Sequence, residues 1–269
     1  MSDEQPESAT SAVVLGAAGG IGRALVARLA ADGAHVVAVD RDARVADLPD
    51  CTPLAGDATD PDLIERAFAA CVHPPRILVH ALLDEVRSPL GELTLADWRR
   101  VLDIGLVSAW QAAAALVRHK GPGPAAVVLI GSVHAHAAAP GVAPYAVAKA
   151  GLAALARAAA VEWGPLGVRT NVLEPGFVTV PRNEHRWSDP AERATILAAY
   201  PLGRLCAPEE IAGAASFLAS DQASYINGAC IPVDGGALAV LPETLVPRPT
   251  PPNASGTSGP PLPPGASGP

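Results

Sequence analysis

The run "SAVVLGAAGGIGRALVARLA", residues 11–30, limits the folds open to this chain more than any other stretch. A short valine-rich segment ends in glycines, and a helical pattern follows without a break. Such a run reads as a strand. Apolar on both faces, it needs cover on both sides, which a parallel sheet flanked by helices provides. Gly16, Gly20 and Gly22, with Ile21 between the last two, lie in the turn that opens the helix. Glycine lets backbone N–H groups approach a pyrophosphate with no Cβ in the way, and the helix N-terminus adds partial positive charge. A strand before and a helix after give such a cluster its meaning as a nucleotide loop.

The alternation continues. Residues 34–40, 53–57, 76–82, 125–131, 168–175 and 229–235 read as further strands. Helical patterns lie at 20–32, 61–72, 94–119, 145–163 and 208–219. They predict a single α/β domain over residues 11–240, a doubly wound parallel sheet with helices on both faces. Residues 1–10 read as a flexible N-terminus. Residues 241–269 hold ten prolines in twenty-nine positions and read as a disordered tail. In such a domain, ligands gather at the carboxyl ends of the strands.

A net charge of −8 without a basic run argues against nucleic acid as a partner. The apolar runs are broken within about a dozen residues, short of the ~20 that a membrane helix needs, and the acidic start is no signal peptide. A soluble, cytoplasmic protein without a membrane partner is expected. Cys51, Cys71, Cys206 and Cys230 lie far apart, so free thiols and no metal site are expected.

The second strand ends at Asp40, eighteen residues after Gly22. A carboxylate there accepts both ribose hydroxyls of an adenosine and repels a 2′-phosphate, which favours NAD over NADP. The adjacent Arg41 pulls the other way. The third strand ends in "GDATD", where Asp57, with Ala58 beside it, is placed to meet the adenine edge. The chain has two lysines against seventeen arginines, and Lys149 stands four residues after Tyr145, one of three tyrosines. Residues four apart share one helix face. A neighbouring ammonium favours the phenolate, so the pair reads as an acid/base centre. Ser132, at a strand end thirteen residues before Tyr145, is placed to hold a substrate oxygen.

With these residues assembled, the sequence resembles the short-chain dehydrogenase/reductase family over roughly residues 11–238. The resemblance rests on "GAAGGIG", "GDATD", the Ser132–Tyr145–Lys149 spacing, "NVLEPGFV" and "PLGRLCAPEEIAGAASFLASDQASYINGACIPVDGG". It implies a Rossmann-type sheet of about seven strands and hydride transfer between a nicotinamide and an alcohol or ketone. Tyr145 would be the acid/base, Lys149 would lower its pKa and bind the nicotinamide ribose, and Ser132 would orient the substrate. Pro175, Gly176 and Val178 of "PGFV" would lie against the nicotinamide, and Ala81 beside the cofactor. A homodimer or homotetramer built on the helices at 94–119 and 145–163 is implied.

Three departures stand out. Leu15 replaces the threonine that usually begins the glycine cradle. His80-Ala81-Leu82-Leu83 replaces an Asn-Asn-Ala-Gly type sequence, so Leu83 puts bulk beside the cofactor. Gly105 replaces the asparagine whose backbone carbonyl holds a water that connects the lysine to solvent. A glycine keeps the carbonyl and permits a local irregularity in the helix, so the relay is expected to run through the Gly105 backbone. For substrate contacts, His134, Phe177 and Trp187 are expected, with His136, Arg182, His185 and Arg186 as further candidates. The segment 179–200 stands where the family has a mobile lid. The expected activity is NAD-dependent interconversion of a small secondary alcohol and its ketone. The alternatives are reduction of an acyl-thioester or quinone-like ketone, or an NAD-binding scaffold without turnover.

Overall fold

The computed structural model describes residues 10–241. The expected flexible N-terminus and Pro-rich tail therefore lie outside the described residues, apart from Thr10 and Leu241.

Seven parallel strands form one sheet: β1 (Ser11–Leu15), β2 (His35–Asp40), β3 (Cys51–Ala55), β4 (Pro75–His80), β5 (Ala125–Ile130), β6 (Val168–Pro175) and β7 (Cys230–Val233), in the order β3-β2-β1-β4-β5-β6-β7. Every strand expected from sequence is present. β1 and β5 are buried at every residue, as their two-sided apolar patterns require.

The helices are α1 (Gly20–Ala31), α2 (Pro61–Ala69), α3 (Leu95–Leu102), α4 (Ser108–His119), α5 (Ala143–Trp163), α6 (Glu184–Ser188), α7 (Pro190–Leu197) and α8 (Pro208–Ala219). Alternate strand residues supply two separate cores. Ala12, Val14 and Val36 pack under α1 and α8, through Leu25, Leu29 and Ile211. Val13, Leu15 and Val37 pack under α2, α4 and α5, through Phe68, Leu116 and Leu152. Each fully buried leucine contributes roughly 1.5–3 kcal/mol of transfer free energy. The alanine-rich stretches of α4 and α5 put Ala109, Ala112, Ala148 and Ala156 inward, so helices sit close to the sheet and to each other.

Local signals set several boundaries. Asp60 caps α2 by accepting from the Asp62 N–H, with Pro61 following. Thr94 and Asp97 form a capping box at α3. Glycine caps α1, with no side-chain hydrogen bond and no acidic residue in its first turn. Its leading N–H groups are left for something else.

Two differences from the sequence reading matter. The helix expected at 94–119 is interrupted by a π-turn at Asp103–Val107, in which the Ser108 N–H bonds to the Asp103 carbonyl. The whole element, Leu95–His119, is long and apolar enough to cross a membrane by length and composition, contrary to the expectation that no run reaches that length. It is a core helix here: Ala109, Ala112, Ala113, Ala115 and Leu116 are buried against the sheet. The lid segment, for which no elements were assigned, contains a 3-10 turn at Pro181–Asn183 followed by α6 and α7.

Candidate active site

The strand order reverses between β1 and β4, and the crevice above that switch point is where ligands bind in such sheets. A cleft of about 1480 Å³ opens there, running from Asp40 past the glycine turn to Tyr145.

At one end, Gly16 has φ +85, and a Cβ there would meet the Ala81 carbonyl oxygen at 2.7 Å. A Cβ on Gly22 would lie 2.0 Å from the Gly16 oxygen, so only glycine allows the turn to close onto α1. Asp40 is tied to this loop: one carboxylate oxygen accepts from the Ala18 N–H and the other from the Asp42 N–H, both at 2.9 Å. The fixed carboxylate keeps further lone pairs for ribose hydroxyls. An uncapped helix start, a loop without Cβ atoms and a preorganised carboxylate along one cleft fit a nicotinamide dinucleotide. Ile21, Arg41, Asp57 and Ala58 line the same end, and Ala81, Pro175, Gly176 and Val178 line its middle. Asp57 is held by Thr59, whose N–H and hydroxyl both donate to it at 2.9 Å.

At the other end, Ser132 is buried at the mouth of β5, and its oxygen accepts from the His134 N–H. Tyr145 and Lys149 project from the first turns of α5, with the ammonium 5.7 Å from the Tyr145 ring centre. Lys149 is 3% exposed and donates to the carbonyls of Ile130 at 2.6 Å and Leu82 at 3.3 Å. Burial alone lowers its pKa to about 8. Burial raises the Tyr145 pKa, and the Ser132 hydroxyl opposes that rise. His134 sets its ring edge-on to Tyr145, 5.5 Å between centres. Its Nδ1 is buried with no hydrogen-bond partner among the described residues.

Of the site residues and further candidates named from sequence, all but Gly105, Trp187 and His136 line this cleft. Gly105 is buried behind it, Ile104 reaches the cleft instead, and the Lys149 hydrogen bonds go to Leu82 and Ile130. Trp187 is a correction. It lines a separate cavity of about 540 Å³ with Thr179, Glu184 and Arg204, and its indole N–H donates to the Val180 carbonyl at 3.2 Å. This tether keeps the ring out of the main cleft. His136 likewise turns away and bonds to the buried carboxylate of Glu174 at 2.7 Å. Arg182, His185 and Arg186 do line the cleft, with Arg186 over the Phe177 ring.

Sequence reading missed two groups. Glu85 is 13% exposed in the cleft wall, paired with Arg87 at 2.5 Å and facing Arg182 at 3.8 Å. The Tyr200 hydroxyl accepts from the Phe177 N–H at 2.7 Å and so fixes the "PGFV" turn. The scarcity of tyrosine was the available signal for Tyr200; nothing local marks Glu85.

A family profile described as enoyl-(acyl carrier protein) reductase matches residues 16–237. A cis-4-hydroxycyclohexanecarboxylate dehydrogenase from Sinomonas cyclohexanicum is 38% identical over 85% of this chain and 96% of its own. A 3beta-hydroxysteroid dehydrogenase 1 from Eggerthella lenta is 33% identical over 83% of this chain and 92% of its own. A solved structure from Beutenbergia cavernae, provisionally assigned as an NAD(P) dependent gluconate 5-dehydrogenase with NADP at low occupancy, superposes with a TM-score of 0.79. It is 35% identical and covers 87% of this chain and 98% of that one. The chain belongs to the short-chain dehydrogenase/reductase family, the nicotinamide-dependent oxidoreductases built on this sheet.

Proposed function

We propose that the protein oxidises a secondary alcohol to its ketone with NAD. The observation that carries this reading is a single cleft with Asp40 at one end and Ser132, Tyr145 and Lys149 at the other. A bound nicotinamide supplies the hydride acceptor. The Ser132 hydroxyl orients the substrate oxygen, and Tyr145 takes the hydroxyl proton as the carbinol C–H leaves as hydride. The Lys149 ammonium favours the phenolate form of Tyr145. Run backwards, the same groups protonate a ketone.

NAD is favoured because a 2′-phosphate would meet the fixed Asp40 carboxylate, while the nearby Arg44 is already paired with Asp42. The substrate reading rests on two relatives named for ring alcohols, a hydroxycyclohexane acid and a 3-hydroxysteroid. Leu83 and Phe177 offer apolar walls for such a ring. Arg87, Arg182 and Arg186 outnumber Glu85 and Glu192 around them, which favours an anionic substituent.

NADH formation with cis-4-hydroxycyclohexanecarboxylate, its methyl ester and cyclohexanol tests the reading. The acid is expected to have the lowest KM. Preference for the ester would refute the anionic substituent, and cofactor binding without turnover of any alcohol or reduction of any ketone would favour a scaffold. The wild type is expected to prefer NAD to NADP by about tenfold or more, and Asp40→Ser to narrow that ratio. Unaltered preference in Asp40→Ser would overturn the role given to Asp40. Tyr145→Phe is expected to lower kcat by about a thousandfold and leave cofactor affinity unchanged.

A further inference from the structure

His80, the last residue of β4, is fully buried, and neither the cofactor end nor the substrate end of the cleft uses it. Its Nε2 lies 2.8 Å from the Ser108 hydroxyl oxygen. That hydroxyl donates to the Ile104 carbonyl at 2.6 Å. Its proton is therefore committed, so Ser108 must accept from His80, which places the imidazole proton on Nε2. Nδ1 is left a bare acceptor, buried, with no partner among the described residues.

The chain His80–Ser108–Ile104 ends inside the π-turn at Asp103–Val107. There the Ser108 N–H reaches back five residues to Asp103, so it does not make the α-helical bond to Ile104. The Ser108 hydroxyl satisfies the Ile104 carbonyl instead. A π-turn persists where side chains satisfy the groups it frees. This turn faces α5 at close range: a Cβ on Gly105 would come within 3.1 Å of the Ala148 Cβ, one residue before Lys149. On its other side, His80 leads directly into Ala81 and Leu82, and the Leu82 carbonyl accepts from the Lys149 ammonium. One imidazole thus joins the strand end that bonds Lys149 to the helix turn that backs it.

We propose that His80 is a positioning residue for the Tyr145–Lys149 centre: through the Ser108 hydroxyl it holds the π-turn against which α5 sets the Lys149 ammonium. The role needs a neutral ring, and burial with the nearby Lys149 charge keeps it neutral. Around the ammonium stand Tyr145 from α5 and His80 from β4. The ionisation of Lys149 is set by burial, with no carboxylate contributing.

The test uses a property of this chain, its two lysines. A pH titration by NMR of the cofactor-free protein labelled at the lysine ε-carbon resolves Lys149 from Lys120. Gln places an amide nitrogen near the Nε2 position and Asn does not. His80→Asn and Ser108→Ala are each expected to move the Lys149 midpoint up from about 8 by about half a unit or more, as the ammonium loses its buried seat. His80→Gln is expected to restore it. Turnover should follow the same order, with kcat down about tenfold or more in His80→Asn and the KM for NAD little changed. If His80→Asn does not fold, Ser108→Ala breaks the same link. An unchanged midpoint in Ser108→Ala, or an equal shift in the Gln and Asn variants, overturns the proposal. The proposal rests on the acid/base reading of Tyr145, which Tyr145→Phe checks in the same assay. An active Tyr145→Phe sinks that reading; an inactive Tyr145→Phe together with an unmoved Lys149 midpoint in His80→Asn and Ser108→Ala sinks only the role of His80.

Discussion

Lys149 is a buried charge that costs the fold stability. An ammonium at 3% exposure is held by two carbonyls and no carboxylate, and burial depresses its pKa from 10.5 to about 8. The charged form is thus disfavoured in the folded state. The penalty is fully present below about pH 8 and is relieved as pH rises from there towards 10.5. Lys149→Met removes the charge but leaves the Ile130 and Leu82 carbonyls without that donor. At pH 7 the two effects leave a net gain of about 1 kcal/mol, alongside loss of turnover. Thermal unfolding at pH 7 and pH 10 checks the sign: the Met variant should melt higher at pH 7, and its advantage should shrink at pH 10. The Tyr145–Lys149 spacing was visible in sequence because a helix turns a gap of four into adjacency. Trp187 was misplaced because no spacing rule says which cavity a ring in the polar segment 179–200 will enter, and a bond to the Val180 carbonyl decided it.

At the scale of the element, the helix Leu95–His119 carries an irregularity whose possibility was legible and whose form was not. Gly105 marked the place. The five-residue bonding depends on Ser108 and His80, one distant in sequence, and no local pattern reports a partner twenty-eight residues away. Gly105→Asn restores the more usual family residue, but its Cβ would press on Ala148 at 3.1 Å. The neighbour must give way, at a cost of about 1 kcal/mol or more. Asn at this position is therefore expected to lower the melting temperature by a few degrees without raising kcat, as read from thermal unfolding and steady-state rates. A hundredfold rise in kcat would show that glycine impairs the wild-type centre. Elements with strong periodicity, such as β1, α1 and α5, were placed from sequence to within a residue or two. The short helices α6 and α7 were not, because the polar lid segment has little apolar periodicity to read.

For the whole molecule, burial of neutral imidazole predicts acid sensitivity. His80 drops from 6.5 to about 3, burial being the first cause, and His134 and His35 are lowered too. The unfolded chain takes up protons that the folded one refuses, so the His80 contribution is complete above pH 6.5 and is lost as pH falls towards 3. Each pH unit inside that window removes up to about 1.4 kcal/mol for a single site. Denaturant unfolding between pH 7 and pH 4 should show a steeper loss for the wild type than for His80→Gln. The outer faces of α4 and α5 expose Trp110, Val147 and Val161, and light scattering in solution gives the mass that tests whether a homodimer or homotetramer forms on those helices.

What the sequence by itself determined is everything that depends on period, spacing and residue type. Two-sided apolar strands demanded a covered parallel sheet, glycines after β1 allowed the tight turn into α1, and Ser132, Tyr145 and Lys149 were countable along the chain. What only the tertiary structure decided is which distant groups share a bond: Asp40 with the Ala18 N–H, Glu85 with Arg87 and Arg182, His80 with Ser108. Periodicity is a property of the backbone and survives in a string of letters. The partner of a buried polar atom is set by how the sheet and helices close on one another, and that geometry exists only once they have packed.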